Sequence, residues 1–199
     1  EKDGNVAVII VNNPPVNALS WHVRQGLEDN FTAALADDSV AAIVLRCAGA
    51  TFIAGADITE FGKPPKGPDF NAVLNMIEAA SKPVVAAIHG TALGGGLETA
   101  LGCPFRVAVS TAKVGLPEIN LGLFPGGGGT QRLPRLVGPA KAKDLIFSGR
   151  QVRADEALAM GLVDRVVEPE VLHDEALAWA GELARGAVAA QALAKRAID

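Results

Sequence analysis

Apolar residues along the chain occur in two spacings, which predict alternating strands and helices. Residues 5–11, 40–45 and 83–88 are short and almost entirely apolar, as is typical of strands in a sheet covered on both faces. After Ser20, apolar residues recur at four-residue steps until about Ala36, which predicts a helix with that serine as its N-cap. The pattern therefore predicts a mixed α/β fold.

Shorter segments extend this pattern over the rest of the chain. Residues 62–69 hold Gly, Pro and Lys without periodicity, which predicts a mobile surface loop. Further strands are predicted at 105–109, 112–116 and 162–167, and further helices at 70–80 and 97–101. The glycine run 126–129 and Gly138 open two more helices, the acidic pairs at 155–156 and 174–175 mark the starts of later ones, and a last helix is predicted from about Ala187. Because no fixed period recurs, we predict one domain and not a repeat array.

Composition and charge narrow the range of functions. The chain has 199 residues, of which 49% are hydrophobic and 20% charged, and these values suit one soluble domain. The net charge of −4 gives no broad basic field, so nucleic acid is not an expected partner, while a local site can still bind a small anion. No apolar run is long enough to span a bilayer, and no membrane association is expected.

The cysteines and histidines predict neither disulfides nor a metal site. Cys47 and Cys103 lack C-x-x-C spacing, and we expect both to be reduced and buried, as in a cytosolic compartment. The three histidines have no metal-ligand spacing. Since the chain begins at Glu1 without a leader-like segment, we expect it to be a fragment, a processed form or the ordered part of something longer.

Two isolated carboxylates are the strongest indication of chemistry. Glu98 ends the run Gly94-Gly95-Gly96-Leu97-Glu98, Glu118 follows Gly115-Leu116-Pro117, and no other acidic residue occurs between Pro83 and Leu123. An apolar neighbourhood raises the pKa of a carboxyl group toward the range in which it exchanges protons near neutral pH. Each glutamate alone is better explained as a helix-start or turn residue, but the two together favour an acid and base pair.

The glycine run before Glu98 fits some functions and excludes others. Gly94, Gly95 and Gly96 follow a predicted strand and open a helix, where free N–H groups can bind a developing oxyanion. A tight packing turn explains them equally well. The run is not a dinucleotide fingerprint, because Thr99 stands where that pattern needs glycine. A phosphate-binding loop and a serine-hydrolase elbow are also absent from the sequence.

A second turn of small residues, Ala54-Gly55-Ala56-Asp57-Ile58, follows a strand and can supply another N–H group and space for a ligand. We interpret Asp57 as an N-cap and not as a catalytic group. Four basic residues of the later helices are interpreted as a solvated helix face: Arg132, Arg135, Lys141 and Lys143.

Three motifs together resemble the crotonase (enoyl-CoA hydratase) family. They are Phe52-Ile53-Ala54-Gly55-Ala56-Asp57-Ile58, Ala92-Leu93-Gly94-Gly95-Gly96-Leu97-Glu98, and Gly115-Leu116-Pro117-Glu118 continuing to Gly129-Thr130-Gln131-Arg132-Leu133-Pro134. Two further segments, Asn13-Pro14-Pro15-Val16-Asn17-Ala18-Leu19-Ser20 and Ala100-Leu101-Gly102-Cys103, are similar to the hydratase part of multifunctional fatty-acid oxidation enzymes. In those enzymes a 3-hydroxyacyl-CoA dehydrogenase follows on the same chain.

The resemblance implies a spiral of repeated strand-strand-helix units over residues 1–186, with a truncated C-terminal helical region starting at 187–199. It implies that the N–H groups of Ala56 and Gly95 form an oxyanion hole and that Glu98 and Glu118 are catalytic. Coenzyme A is expected as part of the substrate, so no separate cofactor and no metal are expected. The implied substrate- or CoA-binding residues are Ala54, Ala56, Asp57, Ile58, Thr59 and Gly95.

Because both glutamates are present, the resemblance favours an enoyl-CoA hydratase of fatty-acid β-oxidation acting on acyl-CoA thioesters. The alternatives are a Δ3-Δ2-enoyl-CoA isomerase or another CoA-thioester enzyme, and a non-catalytic CoA- or RNA-binding module. A homo-oligomer or a fused dehydrogenase domain is expected, in the cytoplasm, or in the peroxisome or mitochondrial matrix of a eukaryote. His89 and Thr99 depart from the usual family residues, and the glycine-rich stretch 126–129 predicts a looser loop.

Overall fold

The computed structural model describes residues 1–199, which form two sheets and eight α-helices. The strands are β1 (Lys2–Asp3), β2 (Val6–Val11), β3 (Ala42–Cys47), β4 (Val84–Ile88), β5 (Thr91–Leu93), β6 (Phe105–Val109), β7 (Lys113–Gly115), β8 (Gln151–Arg153) and β9 (Arg165–Val167). The helices are α1 (Trp21–Ala36), α2 (Phe70–Glu78), α3 (Gly95–Gly102), α4 (Gly129–Val137), α5 (Pro139–Ser148), α6 (Ala154–Ala159), α7 (Leu172–Ala184) and α8 (Val188–Ile198).

The larger sheet has the order β1-β2-β3-β4-β6-β9, and every pairing is parallel except that of β1 with β2. Its central strands are buried on both faces, which explains their continuous apolar sequences. Helix α7 packs on β3 and β4. The central strands and the helices around them share one connected cluster of 49 buried hydrophobic residues, so the chain has a single core.

In the smaller sheet, β5-β7-β8, two of the three strands arise because the chain turns into a second layer after β4 and after β6. β4 is followed by β5 and then α3, and β6 is followed by β7 and then the 3-10 helix Pro117–Leu121. Isolated parallel bridges join Leu19 to Ala56 and Ile53 to Ala92, which extends this second layer to earlier turns. The architecture is therefore the crotonase-type succession of strand, strand and helix.

Most predicted elements are confirmed, with shifted boundaries. The strand predicted at 40–45 is β3, which begins two residues later because the Val40 N–H bonds the Asp37 carbonyl in a turn. The strand predicted at 162–167 is reduced to β9, because Leu162 bonds back to Ala157 at the end of α6. The prediction missed β1, which has two residues, and β5 and β8, which have three residues each.

The two predicted caps have different outcomes. Ser20 precedes α1, but its side chain makes no capping hydrogen bond, and Glu60 accepts from the Trp21 N–H instead at 2.7 Å. Asp57 does cap: its carboxylate accepts from the N–H and hydroxyl of Thr59 at the start of the 3-10 helix Ile58–Glu60. Cys47 and Cys103 are both buried and free, as predicted.

The C-terminal helix α8 contains no buried residue. Its Lys195 ammonium group nevertheless donates to the Glu78 carbonyl at the end of α2. No helix of the chain combines the length and apolar character needed to cross a membrane.

Helix α3 can start where it does only because Gly96 lacks a side chain. A Cβ atom at this position would lie 2.0 Å from the carbonyl oxygen of Ile53 and 2.9 Å from its Cβ. This contact brings the start of α3 against the backbone of the turn that contains Ala56.

We predict that Gly96→Ala destabilises the fold by about 1–3 kcal/mol, because the added methyl group must displace backbone and not a flexible side chain. Gly26→Ala in α1 is the matched control: nothing lies within 4 Å of its added Cβ, so it should stabilise the protein by roughly 0.5–1 kcal/mol. Urea unfolding followed by circular dichroism gives both values. Equal effects of the two substitutions would show that the Ile53 contact does not constrain α3.

Candidate active site

Three segments of backbone meet at the start of α3. The Gly94 N–H donates to the Gly115 carbonyl at 2.9 Å, and the Leu93 N–H donates to the Ile53 carbonyl at 3.1 Å. A Cβ atom at Gly94, which has a φ of 53°, would lie 3.9 Å from the Gly55 Cα atom. The turns before Ala56 and Gly95 are therefore direct neighbours, as the oxyanion-hole assignment requires.

Both N–H groups expected in the oxyanion hole are free. Gly95 is the first residue of α3, and the first N–H groups of a helix have no intrahelical acceptor. The N–H of Ala56 donates to no backbone carbonyl, although its neighbour Gly55 accepts from the Leu19 N–H at 2.9 Å. Two unpaired donors on adjacent turns are suited to an anionic oxygen.

Glu98 lies in the first turn of α3 and is only 2% exposed. Burial raises the pKa of its carboxyl group to about 7. The N–H groups of Gly129 and Gly127 and the charge of Arg132 oppose this shift, while the neighbouring Glu118 adds to it. Its Oε1 accepts the Gly129 N–H at 2.9 Å. Near neutral pH this group is therefore able to take up or release a proton.

Glu118 reaches the same place from the 3-10 helix Pro117–Leu121. Its Oε1 lies 3.0 Å from the position a Cβ of Gly94 would occupy, and its Oε2 is buried with no hydrogen-bond partner. The side chain is half-buried, and burial raises the pKa of its carboxyl group. The structure thus brings both predicted glutamates to the turn that carries the free Gly95 N–H.

Glycines also let the loop before α4 close over Glu98. A Cβ at Gly127 would lie 2.5 Å from Glu98 Oε2 and 2.4 Å from the Phe70 ring, and one at Gly129 would lie 3.0 Å from Glu98 Oε1. The expectation that residues 126–129 form a looser loop is wrong, because this backbone is packed directly on the carboxylate. Its glycines are needed for close approach.

Arg132 was predicted to belong to a solvated helix face, and this prediction is wrong. The side chain is 8% exposed and forms a bidentate ion pair with Glu78 on α2. Arg135, Lys141 and Lys143 are exposed, as predicted. The spacing of these four charges along the sequence gave no sign that the first of them points inward.

The turn at Ala54–Thr59 opens on a groove of about 470 Å³. Ala56, Asp57 and Thr59 line it, while the side chains of Ala54 and Ile58 are exposed nearby. The groove also has a cationic rim that the sequence analysis did not identify, formed by Arg24, Lys63 and Lys66. The two lysines were overlooked because their loop has no periodicity, although it follows the turn directly.

A second cavity, of about 460 Å³, lies between α8 and the C-terminal ends of α2 and α3. Neither Glu98 nor Glu118 lines this cavity, and it is separate from the groove beside Ala56. No group of three or more His, Cys, Asp or Glu side chains is arranged to hold a metal ion.

Comparison with known proteins agrees with this geometry. The family described as enoyl-CoA hydratase/isomerase matches residues 1–199. The chain is 52% identical over 164 residues to a peroxisomal bifunctional enzyme from Danio rerio, covering 82% of this chain and 23% of that protein. It is 44% identical over 207 residues to a short-chain-enoyl-CoA hydratase from Clostridium acetobutylicum, covering all of this chain and 79% of that protein.

Solved structures give the same result. An enoyl-CoA hydratase from Bacillus anthracis superposes with a TM-score of 0.90 and 38% identity, covering 98% of this chain and 78% of that one. The chain thus spans about a quarter of the length of the bifunctional relative and more than three quarters of the single-function ones.

We predict that Glu98→Gln stabilises the protein increasingly as the pH rises. The folded-state pKa of about 7 lies above the ordinary value of 4.5, so the folded parent binds more protons than the unfolded chain between these values. Its stability therefore falls as the pH rises from about 4.5 to about 7, and the glutamine variant lacks this loss. We expect the variant to be more stable by about 3 kcal/mol at pH 8 and by much less at pH 4.

Urea unfolding at several pH values measures this difference. The control is Glu170→Gln, since Glu170 is exposed and forms no ion pair. A stability difference for Glu98→Gln that is the same at pH 4 and pH 8 would contradict the raised pKa.

Proposed function

The chain belongs to the enoyl-CoA hydratase/isomerase family, and we propose that it hydrates 2-enoyl-CoA thioesters to 3-hydroxyacyl-CoA in fatty-acid β-oxidation. One observation carries this proposal: two carboxyl groups with raised pKa values lie beside a turn that offers a free N–H group. Hydration needs one group to activate water and another to protonate carbon, so both glutamates have a use.

The thioester oxygen would bind the N–H groups of Ala56 and Gly95. As water attacks the β-carbon, electrons move through the double bond onto this oxygen, and hydrogen bonds from two fixed donors stabilise the charge. Because Gly95 opens α3, its donor also lies at the positive end of a helix. The same polarisation makes the β-carbon electrophilic before attack.

Proton movement would be divided between the glutamates. Glu98, ionised, takes a proton from water as the oxygen–carbon bond forms at the β-carbon. Glu118, protonated, then delivers a proton to the α-carbon, and the double bond is consumed. A pKa of about 7 leaves a substantial share of Glu98 ionised at neutral pH, and burial favours the protonated form of Glu118.

Coenzyme A would lie in the groove beside Ala56, with Ala54, Asp57, Ile58 and Thr59 along it. Lys63 and Lys66 line this groove and form no ion pair within the chain, so they are suited to the CoA phosphates. No separate cofactor enters this proposal, since coenzyme A arrives as part of the substrate.

Double-bond isomerisation is a second candidate activity, and one observation favours it. Glu118 Oε2 is buried without a hydrogen-bond partner, so it is free to carry a proton between the α-carbon and the γ-carbon of a 3-enoyl thioester. This reaction needs one shuttle and does not consume water. The same oxyanion donors would stabilise its dienolate.

The wider context is also part of this proposal. The Danio rerio relative is named a bifunctional enzyme, which supports a second activity on the same chain, and we propose that this is a 3-hydroxyacyl-CoA dehydrogenase that consumes the product. The same name supports a peroxisomal location in a eukaryotic host, and a cytoplasmic one is expected in a bacterium. The alternative to such a fused chain is a homo-oligomer of a chain that carries only the hydratase activity.

We predict that Glu98→Gln and Glu118→Gln affect hydration and isomerisation differently. Glu98→Gln should lower hydration of crotonyl-CoA by about 10²–10⁴-fold and spare much of any 3-enoyl-CoA isomerisation, whereas Glu118→Gln should abolish both. The amide nearly preserves side-chain volume, so packing should change little. Loss of the ultraviolet absorbance of crotonyl-CoA reports hydration, and its gain from a 3-enoyl-CoA reports isomerisation.

Glu170→Gln is again the control and should leave both rates unchanged. Parental hydration by Glu98→Gln would refute the paired mechanism, and Glu98 would then be only a helix-start residue. Absence of both activities in the parent protein would refute the proposed function.

A further prediction concerns the cationic rim of the groove. The double variant Lys63→Ala, Lys66→Ala should raise the KM for crotonyl-CoA by about tenfold, equivalent to about 1.4 kcal/mol. It should leave the KM for crotonyl-pantetheine, which lacks the nucleotide phosphates, unchanged. Lys141→Ala, Lys143→Ala on α5 removes the same charge from exposed positions and serves as the control. Equal effects on both substrates would contradict the phosphate assignment.

A further inference from the structure

A buried cation, Arg132, lies behind the loop that holds Glu98 and has no role in the chemistry proposed above. The guanidinium of Arg132 donates from Nε and Nη2 to the two carboxylate oxygens of Glu78, at 3.0 and 2.6 Å, and from Nη2 to Asn75 Oδ1 at 2.9 Å. Burial of an ion pair by itself contributes little to stability, because the desolvation of both charges offsets their attraction. The position of Arg132 therefore needs another explanation.

The remaining donor of Arg132, Nη1, explains why the guanidinium lies here. Its Nη1 donates to the Gly127 carbonyl at 2.9 Å. On the other side of the same loop, the Gly129 N–H donates to Glu98 Oε1 at 2.9 Å. The loop thus lies between the guanidinium and the carboxylate, and each holds it through a main-chain group.

Helix α2 provides the fixed support behind this arrangement. It carries Asn75 and Glu78, which hold the guanidinium, and also Phe70, whose ring would be 2.4 Å from a Cβ at Gly127. An arginine fork bound at both ends has little freedom to rotate, unlike a lysine at the same position. A glycine-rich loop has no side chains of its own to fix its path.

We propose that Arg132 is a positioning residue: by tying the Gly127 carbonyl to α2, it fixes the loop whose main-chain N–H groups hold the Glu98 carboxylate. This inference rests on the proposed function only in giving Glu98 a catalytic task. The arrangement of the loop stands independently of which reaction occurs.

The charges around Glu98 define what should change when Arg132 is altered. Glu118 faces it from the 3-10 helix, Arg132 faces it from α4, and Glu78 lies behind the guanidinium on α2. α2 has no other ionisable side chain, and β5 and the 126–129 loop have none. Loss of Arg132 removes a positive charge and loosens the two N–H donors, and both effects raise the pKa of Glu98.

The test measures this carboxyl group directly. In protein labelled with [δ-13C]glutamate, the Glu98 resonance is assigned by its absence in Glu98→Gln and followed through a pH titration. Arg132→Gln should move its midpoint upward by about one pH unit, the lower end of what loss of a neighbouring arginine charge produces. Arg132→Lys keeps the charge but not the fork, and should move the midpoint upward by less.

The matched control is Arg135→Gln. Arg135 lies on the same helix, but it is exposed and donates only to the Gln131 carbonyl of its own helix at 3.2 Å. Its substitution should leave the midpoint unchanged. In hydration assays the acidic limb of the kcat profile should move with the midpoint in the Arg132 variants, while the KM for crotonyl-CoA stays the same.

The outcomes separate this inference from the proposed function. An unmoved midpoint in Arg132→Lys and Arg132→Gln, even with lowered thermal stability, would show a purely structural role and overturn the inference. If Arg132→Gln does not fold, the charge-conserving lysine variant decides. A moved midpoint in a protein that hydrates no enoyl-CoA would refute the proposed function and leave the positioning role supported.

Discussion

The cost of burying the Glu98 carboxylate constrains the whole site. A carboxylate paired with a cation has a low pKa and is a poor base, and one buried without any partner stays protonated at neutral pH. Here hydrogen bonds from main-chain N–H groups lower the pKa that burial raises, and the charge of Arg132 lowers it from the far side of the loop. The resulting pKa of about 7 lies between the two extremes. The chemistry therefore depends on bringing backbone, and not a charged side chain, against the carboxylate.

Backbone can approach this closely only where side chains are missing, and this explains the arrangement of the glycines. Gly96 admits the Ile53 carbonyl, Gly127 admits Glu98 and Phe70, and Gly94 leaves space for Glu118. Gly94 and Gly96 lie where β5 leads into α3, and Gly127 lies in the loop before α4. The small sheet β5-β7-β8 is thus a means of holding these turns together, since its strands are too short to contribute much stability by themselves.

The sequence predicted the parts of this fold that depend on local patterns. Continuous apolar strands and the four-residue periodicity of α1 are properties of single segments, so β2, β4 and α1 were predicted with small errors. The two glutamates stood out because their surroundings are apolar. Arg132 did not stand out, because its burial depends on Glu78 and Asn75, more than fifty residues earlier. β5 was missed because three residues are too few for a strand pattern, and its pairing with β7 is formed by the fold.

The two carboxylates are held in different ways, and this difference bears on how one fold can serve two reactions. Glu98 projects from an α-helix and is sealed by a packed loop, so its position follows from the core. Glu118 projects from a 3-10 helix that ends at Gly122, with a φ of 71°, and contacts α5 through Asn120 and Ile119 beside Gly149. Its unpaired oxygen is therefore set by a surface element. In the proposed mechanism the fixed group would activate water and the less constrained group would protonate the α-carbon, whereas isomerisation would use only the second. Within one fold, the balance between these reactions would then depend on the short helix around Glu118 more than on the core.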